Sequence, residues 1–123
     1  MKFTASIIEP STNDRIANLL FADPETNPDE PSVLSFSRAI EFEDSAYYFE
    51  INDQSNSSYG GLESVQVSKN KLAVRLKREL VEKFGNEDFG QVEVEFDADD
   101  EMYQVIVETL QKIFDGDSVL EIN

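Results

Sequence analysis

The chain lacks two side chains that many enzyme mechanisms use, histidine and cysteine. Its 123 residues include no histidine and no cysteine. The first absence removes the commonest general base and metal ligand, and the second removes thiol nucleophiles, disulfides and thiolate metal sites. Carboxylates are the main groups left for chemistry, with 26 Asp and Glu against 10 Lys and Arg and a net charge of −16.

The densest run of carboxylates is the segment 97–101 (DADDE), which has the look of a metal-binding loop. A calcium hand needs glycine at its sixth position and glutamate at its twelfth. Counted from Asp97, the sixth position is Met102, where an apolar stripe at helical spacing begins. Carboxylates at a helix start cap its free amides, so we expect a helix cap, no metal and no cofactor.

Paired carboxylates can also hydrolyse glycosides when they lie about 5 Å or about 6.5–9.5 Å apart. With so many acids some pair meets either spacing by chance, and no arginine or aromatic cluster surrounds one. The Tyr59-Gly60-Gly61 segment lacks the lysine and the following helix of a phosphate cradle, so a turn or bulge is expected there. The sequence therefore predicts a binding protein and not an enzyme.

Three runs of alternating apolar and polar residues predict the centre of a β-sheet. They are Tyr47–Ile51, Ser64–Ser68 and Leu72–Leu76. A tight turn at Lys69-Asn70 would pair Val67 with Leu72, and Val65 with Val74. Less regular runs also predict strands, at residues 3–8, 15–21, 33–42 and 92–96. Residues 53–61 (DQSNSSYGG) are predicted to be a polar loop, and residues 118–122 an optional last strand.

Two helices are predicted from apolar spacing and from their end signals. The first covers residues 78–84 and stops at Gly85, and the second covers residues 98–114 and stops at Gly116. The predicted fold is α+β, with a curved, mainly antiparallel sheet of about six strands and the C-terminal amphipathic helix packed on one face. One domain spanning residues 1–123 is expected.

Arg38 shares a predicted strand face with apolar residues: Leu34, Phe36, Ile40 and Phe42. The simpler interpretation places its stem on the core and its charged head in water. The alternative is an anchoring ion pair or a ligand contact. We favour the first, because long side chains adopt it readily.

Charge is segregated along the chain. Six of the 10 basic residues fall between Lys69 and Lys83, whereas residues 87–101 hold eight acids and no base. Cross-strand pairing would place Arg75 and Lys77 opposite acids on the neighbouring strand, Glu93 and Glu95. The acidic balance disfavours direct binding of nucleic acid or of an anionic membrane, and it favours a basic partner. No apolar run matches a signal peptide or a membrane span, so a cytoplasmic location is expected.

Four blocks, taken in order, carry a family resemblance. They are LLFADPETNPDEP followed by LSFSRAI, YYFEINDQ with YGGLESVQVSKNKLAVRL, a short helix ending in KFG, and VEVEFDADDE with the C-terminal helix. In this order and spacing they resemble the bacterial polymorphic-toxin immunity proteins of the family numbered ten. The resemblance implies an intracellular antidote that binds a cognate toxin domain and blocks it, usually without enzymatic activity.

The predicted contact residues are acids without an obvious partner, together with the polar segment 53–61. They are Glu41, Glu43, Asp44, Asp53, Gln54, Tyr59, Gly60, Gly61, Asp99, Asp100 and Glu101. Solvated turns and a helix cap are the alternative for each. The expected partner is a protein toxin with a basic surface, such as a nuclease, and a homodimer is left open. The alternative function is an acidic mimic of nucleic acid that occupies a DNA-binding protein.

Overall fold

The computed structural model describes residues 1–123 and contains ten strands and two α-helices. The elements are β1 (Lys2–Thr4), β2 (Ile7–Thr12), β3 (Ala17–Asp23), β4 (Ser32–Arg38), β5 (Tyr48–Ile51), β6 (Asp53–Tyr59), β7 (Leu62–Ser68), β8 (Lys71–Leu76), α1 (Arg78–Phe84), β9 (Gln91–Glu95), α2 (Asp100–Ile113) and β10 (Leu120–Ile122). A 3₁₀ turn at Glu87–Gly90 leads into β9.

The strands form two five-stranded sheets. Sheet A has the order β1-β9-β8-β7-β10, and sheet B has the order β2-β3-β4-β5-β6. Sheet B is an antiparallel meander, whereas sheet A gains its parallel edge strands, β1 and β10, from the two ends of the chain. The α+β class and the C-terminal helix are confirmed, and the prediction of one sheet of about six strands is corrected to two sheets.

Strand β6 replaces the predicted loop at residues 53–61. It pairs only with β5 at the edge of sheet B, and none of its residues is buried. An edge strand of this kind buries no face, so it carries no apolar alternation by which its sequence could reveal it. Asn52, at a φ of 65°, makes the tight turn from β5 into β6.

One cluster of 27 buried residues joins the inner faces of both sheets to the helices. Phe21 of sheet B lies against Phe96, which follows β9 of sheet A, with ring centroids 5.4 Å apart. The predicted pairs Val67–Leu72 and Val65–Val74 are confirmed in the β7–β8 hairpin. The alternating apolar residues of β7 and β8 thus lie on the buried face of sheet A.

Helix α2 buries Ile106, Leu110 and Ile113 completely and packs across β2, β3 and β4. Val105, which the apolar stripe places on this face, is 39% exposed. Thr109 is buried instead, because its hydroxyl donates to the Val105 carbonyl at 2.7 Å and so has a partner.

Strand β4 ends at Arg38, four residues before the predicted end at Phe42. Ser45 closes the following turn, since its hydroxyl donates to the Ala39 carbonyl at 2.6 Å and its amide to the Phe42 carbonyl at 3.2 Å. Phe42 is therefore 62% exposed and not part of the core.

Candidate functional site

The predicted acidic contacts fall at opposite ends of α2. Asp99, Asp100 and Glu101 surround its first residue, whereas the turn holding Glu41, Glu43 and Asp44 follows Arg38, which is bonded to the last turn of the helix. A helix of 14 residues is about 20 Å long. The structure therefore does not gather these acids into one site.

Two of the three acids at the start of α2 have structural partners. Asp99 Oδ1 accepts a hydrogen bond from the Met102 amide at 2.7 Å, which confirms the predicted helix cap. The Asp100 carboxylate lies 2.6 Å from Lys69 Nζ. This hydrogen bond lowers the pKa of Asp100 and raises the pKa of Lys69. Glu101 is exposed and forms no ion pair.

Arg38 anchors the other end of α2. Its guanidinium donates to the carbonyls of Ile113, at 3.4 Å, and Asp115, while its Nε donates to Ser45 Oγ at 3.2 Å. The last carbonyls of a helix are otherwise unpaired and carry its negative dipole end, so a cation is favourable there. The expectation that the Arg38 head sits in water is wrong; the head is a structural anchor, with carbonyl partners more than 70 residues away in sequence.

The turn after Arg38 displays one feature that the sequence interpretation missed, the exposed Phe42. Glu41 makes only a long ion pair, 3.9 Å from Arg15 Nε, and Glu43 and Asp44 make none. The sequence signals for this turn were Arg38, which interrupts the apolar face, and the polar residues that follow Phe42, Glu43-Asp44-Ser45.

The residues predicted in segment 53–61 have mostly local roles. Asp53 accepts hydrogen bonds from the amide and hydroxyl of Ser55, and the hydroxyl bond lowers the pKa of Asp53. The Gln54 carbonyl accepts from Ser57 Oγ at 2.7 Å. Tyr59 is 74% exposed and rests on Tyr48, with ring centroids 4.9 Å apart.

Gly60 and Gly61 connect sheet B to sheet A. Both have positive φ, and a Cβ on Gly61 would lie only 2.3 Å from Leu80 Cδ1. The register of β7 shifts between Leu62 and Ser64, which confirms the expected bulge. These glycines therefore serve the crossover between the sheets.

The outer face of sheet A, the side away from the core, carries two cross-strand ion pairs. Lys2 Nζ lies 3.0 Å from Glu95, and Lys71 Nζ lies 3.6 Å from Glu93. The predicted pairing of Arg75 and Lys77 with these acids is wrong, because the β8–β9 register places Arg75 opposite Gln91. With Arg75 and Glu121, this face carries three cations and three acids.

Beside a shorter row of Ile7, Ala22 and Val33, the outer face of sheet B carries two cross-strand rows that span all five strands and contain no lysine or arginine. The rows are Glu9–Leu20–Ser35–Glu50–Ser57 and Ser11–Asn18–Ser37–Tyr48–Tyr59. None of the ten side chains is buried. Tyr48 donates its hydroxyl to Glu50 Oε1 at 2.6 Å, and a groove of about 380 Å³ runs between the rows. Of these ten residues only Tyr59 was among the predicted contacts, because the two tyrosines and the serines lie on separate strands.

Two further findings concern metals and membranes. No three carboxylates come together in a group that could hold a metal ion. Neither α-helix is long and apolar enough to cross a bilayer.

Comparison with known proteins identifies a family. Residues 4–104 match the family model described as Immunity protein 10. No curated protein and no solved structure matched the chain. The matched region contains all of sheet B and most of sheet A, and it ends within α2. Because the match covers most of its length, the chain belongs to the Immunity protein 10 family.

Proposed function

We propose that this protein is an antidote of a bacterial polymorphic toxin system: it binds a cognate toxin domain in the cytoplasm and blocks it without catalysing a reaction. The match of residues 4–104 to the Immunity protein 10 family is the observation that carries this proposal. The absence of histidine and cysteine from the sequence agrees with a binding role, because it leaves few groups for general base or nucleophilic catalysis.

Charge supports a toxin with a basic surface, as a nuclease domain would have. The net charge is −16, and only seven of the 26 acids take part in ion pairs. Unpaired carboxylates on this scale attract a cationic partner over a long range and raise the association rate. Binding should therefore weaken and slow as salt is added, and an affinity unchanged by salt would contradict the basic partner.

Among the predicted contacts, four side chains form no ion pair or hydrogen bond within the protein and are free to meet a partner: Glu43, Asp44, Tyr59 and Glu101. Of these, only Tyr59 lies on a strand. Asp99, Asp100 and Asp53 accept hydrogen bonds within the protein, so a toxin would have to compete for them. Gly60 and Gly61 act through the backbone turn.

A homodimer is a further proposal that light scattering of the purified protein would test.

The test is growth of cells that express the toxin-like C-terminal domain encoded beside this protein, with and without the protein. Rescue of growth, together with a complex that survives purification, is the expected result. A toxic neighbour that is not rescued would overturn the proposal.

The alternative, an acidic mimic of nucleic acid, is favoured by the net charge alone. A mimic should displace DNA from several unrelated DNA-binding proteins, whereas an antidote should act only on its cognate toxin. Competition for DNA against a panel of such proteins separates the two.

A further inference from the structure

We propose that the outer face of sheet B is the surface that binds the toxin, and that its occupant is a protein surface with lysine or arginine side chains around an apolar centre. This inference rests on the proposed function and names the contact surface for it.

The composition of this face suits protein recognition. Tyr48, Tyr59 and Leu20 supply broad apolar area, and serines and Asn18 supply hydrogen-bonding groups between them. Tyrosine with serine and asparagine is the combination that paratopes use, because it gives large contact area at a low cost in side-chain entropy. The side chains project from paired strands, which hold them in place before the partner arrives.

The charge of this face indicates which kind of partner it binds. Glu9 and Glu50 are the only charged residues of the two rows, and no cation of the face neutralises them. Glu50 accepts from the Tyr48 hydroxyl but has no ion pair, so its carboxylate can accept further hydrogen bonds. A guanidinium or ammonium group from a partner would supply the missing charge.

The edge beside this face is open. Strand β6 runs for seven residues with a partner on one side only, and it contains no lysine or proline. Soluble proteins usually protect such edges with those residues. Its one charge, Asp53, is turned back onto Ser55. An open polar edge next to Tyr59 would let a toxin extend its contact beyond the two rows.

A second copy of this chain and a nucleic acid are both poorer occupants. Each copy carries a net charge of −16, and the only charged residues in the two rows of this face are acids. Nucleic acid would bring phosphates to the same carboxylates. Like charges brought together without compensation oppose both associations.

The experiment compares one arginine placed at the centre of each outer face. Ser35→Arg changes a half-buried residue of β4, the middle strand of sheet B, and Ala73→Arg changes a half-buried residue of β8, the middle strand of sheet A. Both variants change the net charge by the same amount. Circular dichroism and thermal unfolding check that each folds, and titration with a catalytically inactive form of the neighbouring toxin domain measures its affinity.

We expect S35R to weaken binding by about 100-fold or more, because it brings bulk and a repelling charge to the contact centre, and A73R to change it by less than about threefold. Equal losses in the two variants, or a loss confined to A73R, would overturn the inference. If S35R does not fold, Tyr59→Ala replaces it, since Tyr59 is exposed, and unchanged affinity would then count against the face. A wild-type protein that fails to bind would overturn the proposed function itself.

Discussion

On the outer face of sheet A, Lys2 and Lys71 lie 3.0 Å and 3.6 Å from carboxylates of the next strand, and cations and acids are equal in number. On the outer face of sheet B, Glu9 and Glu50 form no ion pair, and the rest of the face is uncharged, with tyrosine, serine, asparagine and aliphatic residues. Both faces belong to five-stranded sheets over one core. The two faces therefore differ in how far the protein pairs its own charges, and the net charge of the chain does not reveal that difference.

The free energy of unfolding should be most sensitive to substitution at the crossover from sheet B to sheet A. Gly61→Ala adds a Cβ 2.3 Å from Leu80 Cδ1 at a φ of 89°, and we expect it to lower the free energy of unfolding by about 2–4 kcal/mol. Gly60→Ala is the matched control, because its φ is similar and no atom lies within 4 Å; it should cost about 1–2 kcal/mol. Urea unfolding measures both, and equal costs would show that Leu80 yields freely.

The two exposed aromatic residues test which surface makes the contact. Tyr59→Ala should reduce toxin affinity by about 2 kcal/mol, because it removes a large side chain from the proposed contact on sheet B. Phe42→Ala, on the turn outside that face, should change affinity by less than about 0.5 kcal/mol. Calorimetry with the toxin domain measures both. A larger loss at Phe42 would move the contact to the turn at the end of α2.

Charge reversal separates local from global electrostatics. The double changes Glu9→Lys with Glu50→Lys and Glu93→Lys with Glu95→Lys alter the net charge equally, one pair on each sheet. We expect the sheet B pair to slow toxin association about tenfold. The sheet A pair should instead lower the free energy of unfolding, because lysines would then face Lys2 and Lys71. Stopped-flow mixing measures the association rate, and urea unfolding measures the free energy of unfolding. Slower association for the sheet A pair, with lower stability for the sheet B pair, would contradict the proposed difference between the two faces.

The smallest effect is expected at the Lys69–Asp100 pair, which ties the β7–β8 hairpin of sheet A to α2. The pKa of Asp100 is lowered in the folded state, so the ionised carboxylate stabilises the fold above its unfolded pKa of about 3.9. This contribution is lost as the pH falls through the folded pKa. Asp100→Asn should therefore lower the Tm slightly at pH 7 and not at strongly acidic pH.

Glu101→Gln is the control for that measurement, because Glu101 lies in the same helical turn without an ion pair. A Tm difference between D100N and the wild type that persists unchanged at acidic pH would show that the pair does not cause it.

Much of the fold is readable from local pattern. The alternation in β5, β7 and β8, the hairpin pairs Val67–Leu72 and Val65–Val74, and the Asp99 cap of α2 all appear as expected. Strand β6 is not readable, because an exposed edge strand needs no apolar side chain. The predicted contact set was drawn from unpaired acids in sequence, so it included residues with partners far along the chain, such as Asp100.

The amino-acid sequence alone determined the large negative charge, the lack of histidine and cysteine, and the positions of both helices, with the second predicted at 98–114 and found at Asp100–Ile113. These features depend on composition and on interactions within a few residues. The tertiary structure decided which charges remain unpaired, that Arg38 anchors the end of α2, and that Tyr48 and Tyr59 share a face with Glu9 and Glu50. Such groupings follow from strand register and from contacts between distant segments, and no local pattern encodes them.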